Sequence, residues 1–541
     1  MSATVAESTL PDRTKRLVLI ACILGTTVVT VDSTAVNVAL PSIASELGGG
    51  LAGQQWTANA YLVTLGSLLL VGGSLGDIFG ERRAFAAGVA GFGLTSLLCA
   101  VAPSIWLLVG ARALQGVFGA LLTPAALAVI VATFAESERG RAVGTWTAWG
   151  GIGTVFGPVV GGQLVDAASW RWIFALNIPL VIGTVILIRR VLPPDHERDP
   201  SARVDVVGAA LCALGLAGAT YGLIEQPLRG FGSPAVFLPL AAGLALLAGF
   251  VVWERRTLAP MLPLRLFGRR NFAIGNAQTF TMYAGLGVVF FLLGLFLQQV
   301  AGFSALKAGG STLPVTIVMF FLAARFGRLA DTYGPRLFMG GGPLVAAAGL
   351  VLMQRVGAHV DYVTELLPAL VVFALGLALT VAPLTATVLA DADAHNAGVA
   401  SAVNNAIARV AGLVAIAAIG AVVAAHAASR LDTAARAAPP GAAAAFAAAR
   451  DRPLSVPRDA GPVVMAAARD ASVSAFHFGL GICAVLVAGG GVLGLVGIRN
   501  PRRELHAENC RGGQLYGAPR EASGQSPCDW GRQALPEPEA A

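Results

Sequence analysis

Charge is scarce in this sequence. Asp, Glu, Lys and Arg make up 12% of its 541 residues, against about a quarter in soluble globular chains, and lysine occurs only at Lys15 and Lys307. That shortage excludes an ordinary soluble enzyme. No G-x-x-x-x-G-K-[ST] string is present, so the phosphate-cradling loop of a nucleotide-driven pump is missing. The 6 cysteines follow neither a disulfide framework nor a metal-ligand spacing: Cys22, Cys99, Cys212 and Cys483 fall in apolar runs, Cys510 and Cys528 in a polar tail. His359, His395, His426 and His477 stand apart near the ends of apolar runs and form no metal set. No metal or other cofactor is therefore expected. The net charge of +7 is scattered in small groups between apolar spans and lacks the single basic face of a nucleic-acid binder.

What the chain has instead is long apolar runs: 56% of it is hydrophobic and the mean hydropathy is +0.72. A hydrocarbon core about 30 Å thick takes roughly 20 apolar residues per helix. Fourteen such stretches are predicted, near 17–42, 55–76, 84–102, 105–133, 141–164, 172–191, 205–224, 234–253, 272–300, 305–329, 336–355, 364–390, 398–426 and 474–498. Basic residues gather in alternate gaps, from the arm carrying Arg13, Lys15 and Arg16 to Arg499, Arg502 and Arg503, which places those gaps and both termini in the cytoplasm of a cell-membrane protein. The gap with Asp391, Asp393 and His395 carries no basic residue.

The string GSLGDIFGERR (Gly73 to Arg83) returns in degraded form as GRLADTYGPR (Gly327 to Arg336). Gly73, Asp77, Gly80 and Arg82 recur as Gly327, Asp331, Gly334 and Arg336, each after 254 residues, and both copies lie between apolar segments. Duplication explains this better than chance. The copies follow the second and tenth spans, so the repeat step is eight helices. An all-α membrane architecture of two six-helix bundles with two inserted helices satisfies it. The expected organisation is a cytoplasmic arm 1–16, an N-terminal bundle 17–192, a linker with the inserted helices 193–271 and a C-terminal bundle 272–498. Within the last, 429–472 is expected to be an extracytoplasmic loop with at most an amphipathic turn, and 499–541 a disordered tail.

Two charges sit inside predicted spans of the first half. Asp32 costs about 2.5–3.5 kcal/mol on insertion scales and should face a bundle interior or a watery cavity. Arg112 lies at a comparable depth in the fourth span, with Gln115 a turn further on. Opposite charges at one depth suggest a pair or network. Each has a plainer reading, Asp32 as a static interhelical hydrogen bond and Arg112 as an anchor on carbonyls or lipid phosphate. Arg409, beside Asn404 and Asn405, is a third charge, serving coupling or only bracing. Gly153, Gly157 and Gly161 form a stripe of small residues, and Pro158 invites a bend. Trp56, Tyr61, Trp146, Trp149, Phe280, Tyr283 and Phe291 are candidates to stack on a flat or cationic ligand, or simply to pack.

The stretches VDSTAVNVALPSIA (Val31 to Ala44), GSLGDIFGERR, ARALQGVFGALLTPA (Ala111 to Ala125), GIGTVFGPVVGG (Gly151 to Gly162) and SWRWIFALNIP (Ser169 to Pro179) together resemble the major facilitator superfamily, and within it the fourteen-helix drug:proton antiporter group of the EmrB/QacA type. The resemblance implies the major facilitator fold and proton-coupled export of hydrophobic, cationic small molecules such as drugs or antibiotics by alternating access. The proton gradient is the driving force, and the unit is a monomer in the bilayer. It implies a proton-coupling role for Asp32, Arg112 and Arg409. It implies a conformational latch at Gly73, Asp77, Gly80 and Arg83, with Asp331 and Arg336 in the second copy, although Pro335 replaces the residue matching Glu81. It ties Gly153, Gly157, Pro158 and Gly161 to antiport. The substrate cavity is expected at Tyr61, Gln115, Trp149, Tyr283 and Asn404. Rival readings are export of an endogenous antibiotic, siderophore or lipid, proton-driven uptake, and a scaffold or sensor that does not transport. A scaffold has no reason to bear the cost of Asp32 and Arg112.

Overall fold

The computed structural model describes residues 11–192, 204–258, 260–391, 397–450, 452–457 and 460–500. The linker 193–203, Asp393, His395 and the tail from 501 lie outside them. The elements are helical throughout: α1 (Asp12–Leu47), α2 (Gly50–Phe79), α3 (Glu81–Ala100), α4 (Ile105–Thr133), α5 (Glu136–Ala167), α6 (Arg171–Ala175), α7 (Asn177–Val191), α8 (Val206–Arg229), α9 (Pro234–Glu254), α10 (Arg270–Leu295), α11 (Ala305–Ser311), α12 (Leu313–Tyr333), α13 (Pro335–Leu352), α14 (Leu367–Ala390), α15 (Ala397–Arg436), α16 (Ala443–Arg450) and α17 (Gly461–Gly497). Among the described residues thirteen helical stretches are long and apolar enough to cross a membrane, and the 32-residue α5 runs beside them against α1. Two expected spans are interrupted at prolines. Pro179 has no N–H for the carbonyl of Ala175, and Pro314 none for that of Gly310, so α6 stops before α7 and α11 before α12.

Two six-helix bundles repeat one packing scheme. In the first, α1 packs on α4, α5 and α7, α2 on α4, and α3 on α4 and α7. In the second, α10 packs on α14, α15 and α17, α12 on α14, and α13 on α14 and α17. Shifting every first-half partner to its counterpart reproduces the second-half pairs. The repeated loops also share a backbone: Gly80 (φ 97°, ψ 137°) and Gly334 (φ 90°, ψ 145°) both end their helices in a conformation that L side chains avoid. The end of the molecule bearing these loops is called the loop face below, and the other the far face.

The bundles meet along two seams, α2 with α15 and α5 with α11. The inserted hairpin α8–α9 lies at only one of them, where Leu216 of α8 is buried with Val63 of α2 and Leu413 of α15. Toward the far face one buried cluster draws on both bundles, joining residues such as Leu40, Ile43 and Leu108 to Leu292, Phe373 and Leu480. Toward the loop face the clusters are separate, one around Phe85, Phe92 and Ile130 and another around Phe272, Met339 and Val388. The halves thus share one buried core at the far face and keep separate cores toward the loop face, where Leu70 of α2 packs on the second. Contacts across the seams agree: Asp166 accepts the N–H groups of Ala305 and Leu306 at 3.0 and 2.8 Å, Gln298 donates to the carbonyl of Val38 at 3.0 Å, and Gln55 donates to that of Ile416 at 2.7 Å.

The segment 429–472 is not the loop expected of it. α15 continues to Arg436, α16 forms, and α17 starts at Gly461. Leu431, Phe446, Ala449, Val464 and Ala468 make a small core between them. Alanine, the best helix former, dominates the segment, and Phe446 gives the helices something to close upon. At 1.5 Å per residue the 40 residues of α15 run about 60 Å, twice the hydrocarbon thickness.

Candidate functional site: a buried charge network in the first bundle

Asp32 reaches the interior because α1 buries Val28, Val29, Asp32, Ala35 and Val36 on the faces turned to its neighbours. Its carboxylate is 0% exposed and Arg112 is 1% exposed. The Arg112 Nη1 donates to Asp32 Oδ2 at 2.5 Å and to Gln115 Oε1 at 2.6 Å. Gln115 Nε2 donates to Asp32 Oδ1 at 3.1 Å and to Ser96 Oγ at 2.8 Å. Asn177, the first residue of α7, donates from Nδ2 to Asp32 Oδ1 at 3.0 Å and to Ser96 Oγ at 3.2 Å. Arg112 Nε completes the set with the Thr57 carbonyl at 3.3 Å. Four helices, α1, α3, α4 and α7, therefore close on one carboxylate, with the backbone of α2 beside it.

The aromatic rings near this site serve the cation. The Arg112 guanidinium lies 4.3 Å from the centre of the Tyr61 ring and 5.8 Å from that of Phe174. In a medium of low dielectric such contacts add to the ion pair. A buried pair is costly to form, yet removing one partner typically costs about 3–5 kcal/mol, because the other charge is left without compensation. A proton on Asp32 would do the same by chemistry, removing the charge that gathers Arg112, Gln115 and Asn177.

The sequence pairing of Asp32 with Arg112 is thus realised. The cavity expectation is not realised for two of its members: Tyr61 (1% exposed) and Gln115 (0% exposed) belong to the enclosed network and line no open space, because the arginine occupies both. Trp149 is half exposed on α5, while Asn404 bonds Asn276 Oδ1 at 3.1 Å and Thr279 Oγ1 at 2.8 Å inside the second bundle. Tyr283, on α10, is half-buried. Of these, Tyr61 and Tyr283 both lie within reach of the Arg409 charge. Arg409 stands apart from Asp32, half-buried at the α2–α15 seam, where its Cβ lies 3.4 Å from the Cβ position of Gly66. Asn177, Ser96 and Thr57 were missed. Only Asn177 carried a signal, as the asparagine of SWRWIFALNIP; a serine or a backbone carbonyl inside an apolar helix gives none. The same motif holds a second device at the far face, where Arg171 pairs with Glu46, and Trp170 Nε1 donates to Glu46 Oε2 at 2.7 Å.

The glycines divide by role. A Cβ on Gly157 would lie 1.9 Å from Thr34 Oγ1, and one on Gly161 2.8 Å from the Ala35 Cβ, so these set α5 tightly on α1; Gly153 faces Thr30 less closely. On the other side of the same turn, Gly309 approaches the Pro158 carbonyl and Gly162 approaches Ala305 and Leu306, so the motif also holds α11 of the second bundle. In the loop, a Cβ on Gly73 or Gly76 would meet nothing nearer than 3.9 Å. The close crossing is at Gly72 against the Ala120 carbonyl. Asp77 lies in the last turn of α2, and its side chain lies outside what is described. Arg336 donates to the carbonyl of Leu495, and Asp331 is exposed.

Residues 22–447 match the profile described as Major Facilitator Superfamily. Among curated relatives, the puromycin resistance protein of Streptomyces alboniger is 36% identical over 419 residues, covering 75% of this chain and 81% of that protein. The tetracenomycin C resistance and export protein of Streptomyces glaucescens is 35% identical over 414 residues, covering 74% of each. Among solved structures, a bacterial homolog of the human lysosomal transporter Spinster, inward-facing and unoccupied, superposes with a TM-score of 0.64 at 15% identity, covering 91% of this chain and 100% of that one. That likeness speaks for the fold.

Proposed function

The chain belongs to the major facilitator superfamily, and from that premise we propose that it is a proton-coupled antiporter of the drug:proton group, exporting hydrophobic, cationic small molecules by alternating access. The observation that carries the reading is Asp32, a carboxylate wholly enclosed among Arg112, Gln115, Asn177 and Ser96. Positive-inside counting assigns the loop face to the cytoplasm, with both termini there, so the halves keep separate cores on the side from which an exported molecule is taken up. With Asp32 ionised, its three donors tie α4 and α7 to α1. A proton arriving at Asp32 releases Asn177 and Gln115 and leaves Arg112 to the Thr57 carbonyl and the Tyr61 ring. The bundle then repacks, and the stripe Gly153, Gly157 and Gly161 with Pro158 transmits the change to α11 across the seam. The two glycine loops, with Asp77, Arg83, Asp331 and Arg336, form the latch that closes the loop face as the cavity turns outward. Inward movement of one proton supplies about 2.3 kcal/mol per 100 mV and about 1.4 kcal/mol per pH unit.

The test is gradient-driven accumulation of a fluorescent cationic dye in inverted vesicles. Wild type should accumulate dye until the gradient is collapsed, and Asp32→Asn at equal expression should lose at least tenfold of that rate. Undiminished transport in Asp32→Asn would move the coupling site elsewhere, with Arg409 next. A second reading, export of an antibiotic made by the same cell, is favoured by the relatives named for resistance to and export of such compounds. Deletion of the gene should then lower that compound in the culture medium.

A further inference from the structure

A cavity of about 730 Å³ lies away from the charge network, on the second bundle at the far face. Its lining changes character along α17. At one end are Gln354, His426, Ser474 and His477; at the other are Ile482 and Val485. His426 Nε2 meets Ser474 Oγ at 3.0 Å, and its ring stacks on Phe478 with centres 4.6 Å apart. His477 Nε2 donates to the Val356 carbonyl at 2.8 Å. Both rings keep Nδ1 clear of these bonds. No carboxylate is among the lining residues, and exposed Arg355 follows Gln354. The rim opens sideways, since Val485 is 75% exposed and Phe478 42% exposed.

The dimensions match one membrane leaflet. The polar end lies where α13 ends, and where the apolar stretches 398–426 and 474–498 of α15 and α17 meet their boundary. From Ser474 to Leu486 the helix descends about 18 Å, against about 15 Å for half of a hydrocarbon core. We propose that this groove binds a phospholipid of the far-face leaflet with an anionic headgroup. Gln354, Ser474 and the two imidazoles in their protonated form, donating from Nδ1–H, take the phosphate, and an acyl chain lies along Gly481, Ile482, Val485 and Leu486. The volume falls within the range of small-molecule sites, about 300–1,000 Å³, enough for a chain and the start of its head.

The experiment uses the full-length protein in nanodiscs with trace photoactivatable phosphatidylglycerol or phosphatidylcholine, the reactive group on the acyl chain, and quantifies labelled peptides from 461–497. Phosphatidylglycerol should label wild type at least fivefold more than phosphatidylcholine. Gly481→Trp, which fills the groove beside Gln354, should lower that label at least fivefold, and Val485→Trp serves where Gly481→Trp fails to fold. His426→Gln with His477→Gln should bring the ratio of the two lipids near one while chain labelling persists. Equal labelling of wild type and filled variants overturns the site. Equal labelling by the two lipids in wild type overturns the anionic headgroup. Loss of label on adding a transported dye overturns the lipid assignment in favour of substrate.

Discussion

The two bundles share a packing scheme but not a chemistry. In the first, α1 and α4 face each other with Asp32 and Arg112 in hydrogen-bond contact and fully enclosed. In the second, the corresponding α10 and α14 carry no charge beyond Arg270 at the start of α10, and the buried polar contacts there are neutral: Asn404 with Asn276 and Thr279, and Gln278 with the Met339 carbonyl. Duplication supplied two equal frames, and among the described residues the first holds a buried ion pair while the Arg450–Asp432 pair of the second half is exposed. Neutral amides can brace a bundle without changing state. A carboxylate held by three donors can exist in two states that differ by a proton, and the frame around it must differ accordingly. The seams repeat the lesson. α8 is wedged at the α2–α15 seam and does not reach the α5–α11 seam, so the inserted hairpin makes unequal two interfaces that the duplication alone would leave alike.

The contrast between bundles is sharpened most by Arg112→Ala. Stranding Asp32 should cost about 3–5 kcal/mol, read as a lower unfolding midpoint in detergent. Adding Asp32→Asn should recover part of the loss, with a coupling of about 0.5–3 kcal/mol in the double-mutant cycle. Strictly additive losses would break the claim that the two act as a unit. Gly157→Ala comes next, since its methyl would fall on Thr34 Oγ1; overpacking of about 1–3 kcal/mol is expected, relieved by Thr34→Ala in the same unfolding assay. The paired loops follow. Gly80→Ala and Gly334→Ala should each cost about 1–3 kcal/mol for a backbone suited to glycine, and near-equal shifts would affirm that the copies remain equivalent. The smallest effect should be Asn404→Ala, about 1 kcal/mol for a hydrogen bond lost in the neutral bundle, with gradient-driven dye transport reduced less than threefold. A loss of transport matching that of Asp32→Asn would erase the distinction between the halves.

Much of this was legible beforehand. The long apolar runs located the membrane helices, and Gly73 to Arg83 with its second copy located the halves. The cost of burying Asp32 and Arg112 announced that they needed each other. Tyr61 and Gln115 were legible as polar residues near the centre but not as ligands of Arg112, because an aromatic ring can face a substrate or a guanidinium with the same sequence pattern. Ser96 and Thr57 were invisible, since α3 and α2 approach Asp32 only after the bundle closes. The segment 429–472 read as a loop because hydropathy registers membrane residence and not helicity, while its alanines favour helix in water as well.

By itself, then, the sequence determined the membrane as solvent, the duplicated plan and the two charges that had to be compensated, because each follows from local composition or from transfer cost. Only tertiary structure decided which donors surround Asp32, which seam α8 occupies and on which face the bundles share a core. Those depend on contacts between residues far apart in the chain, such as Asp32 with Asn177 at a separation of 145, and no local pattern encodes the crossing of helices that brings them together.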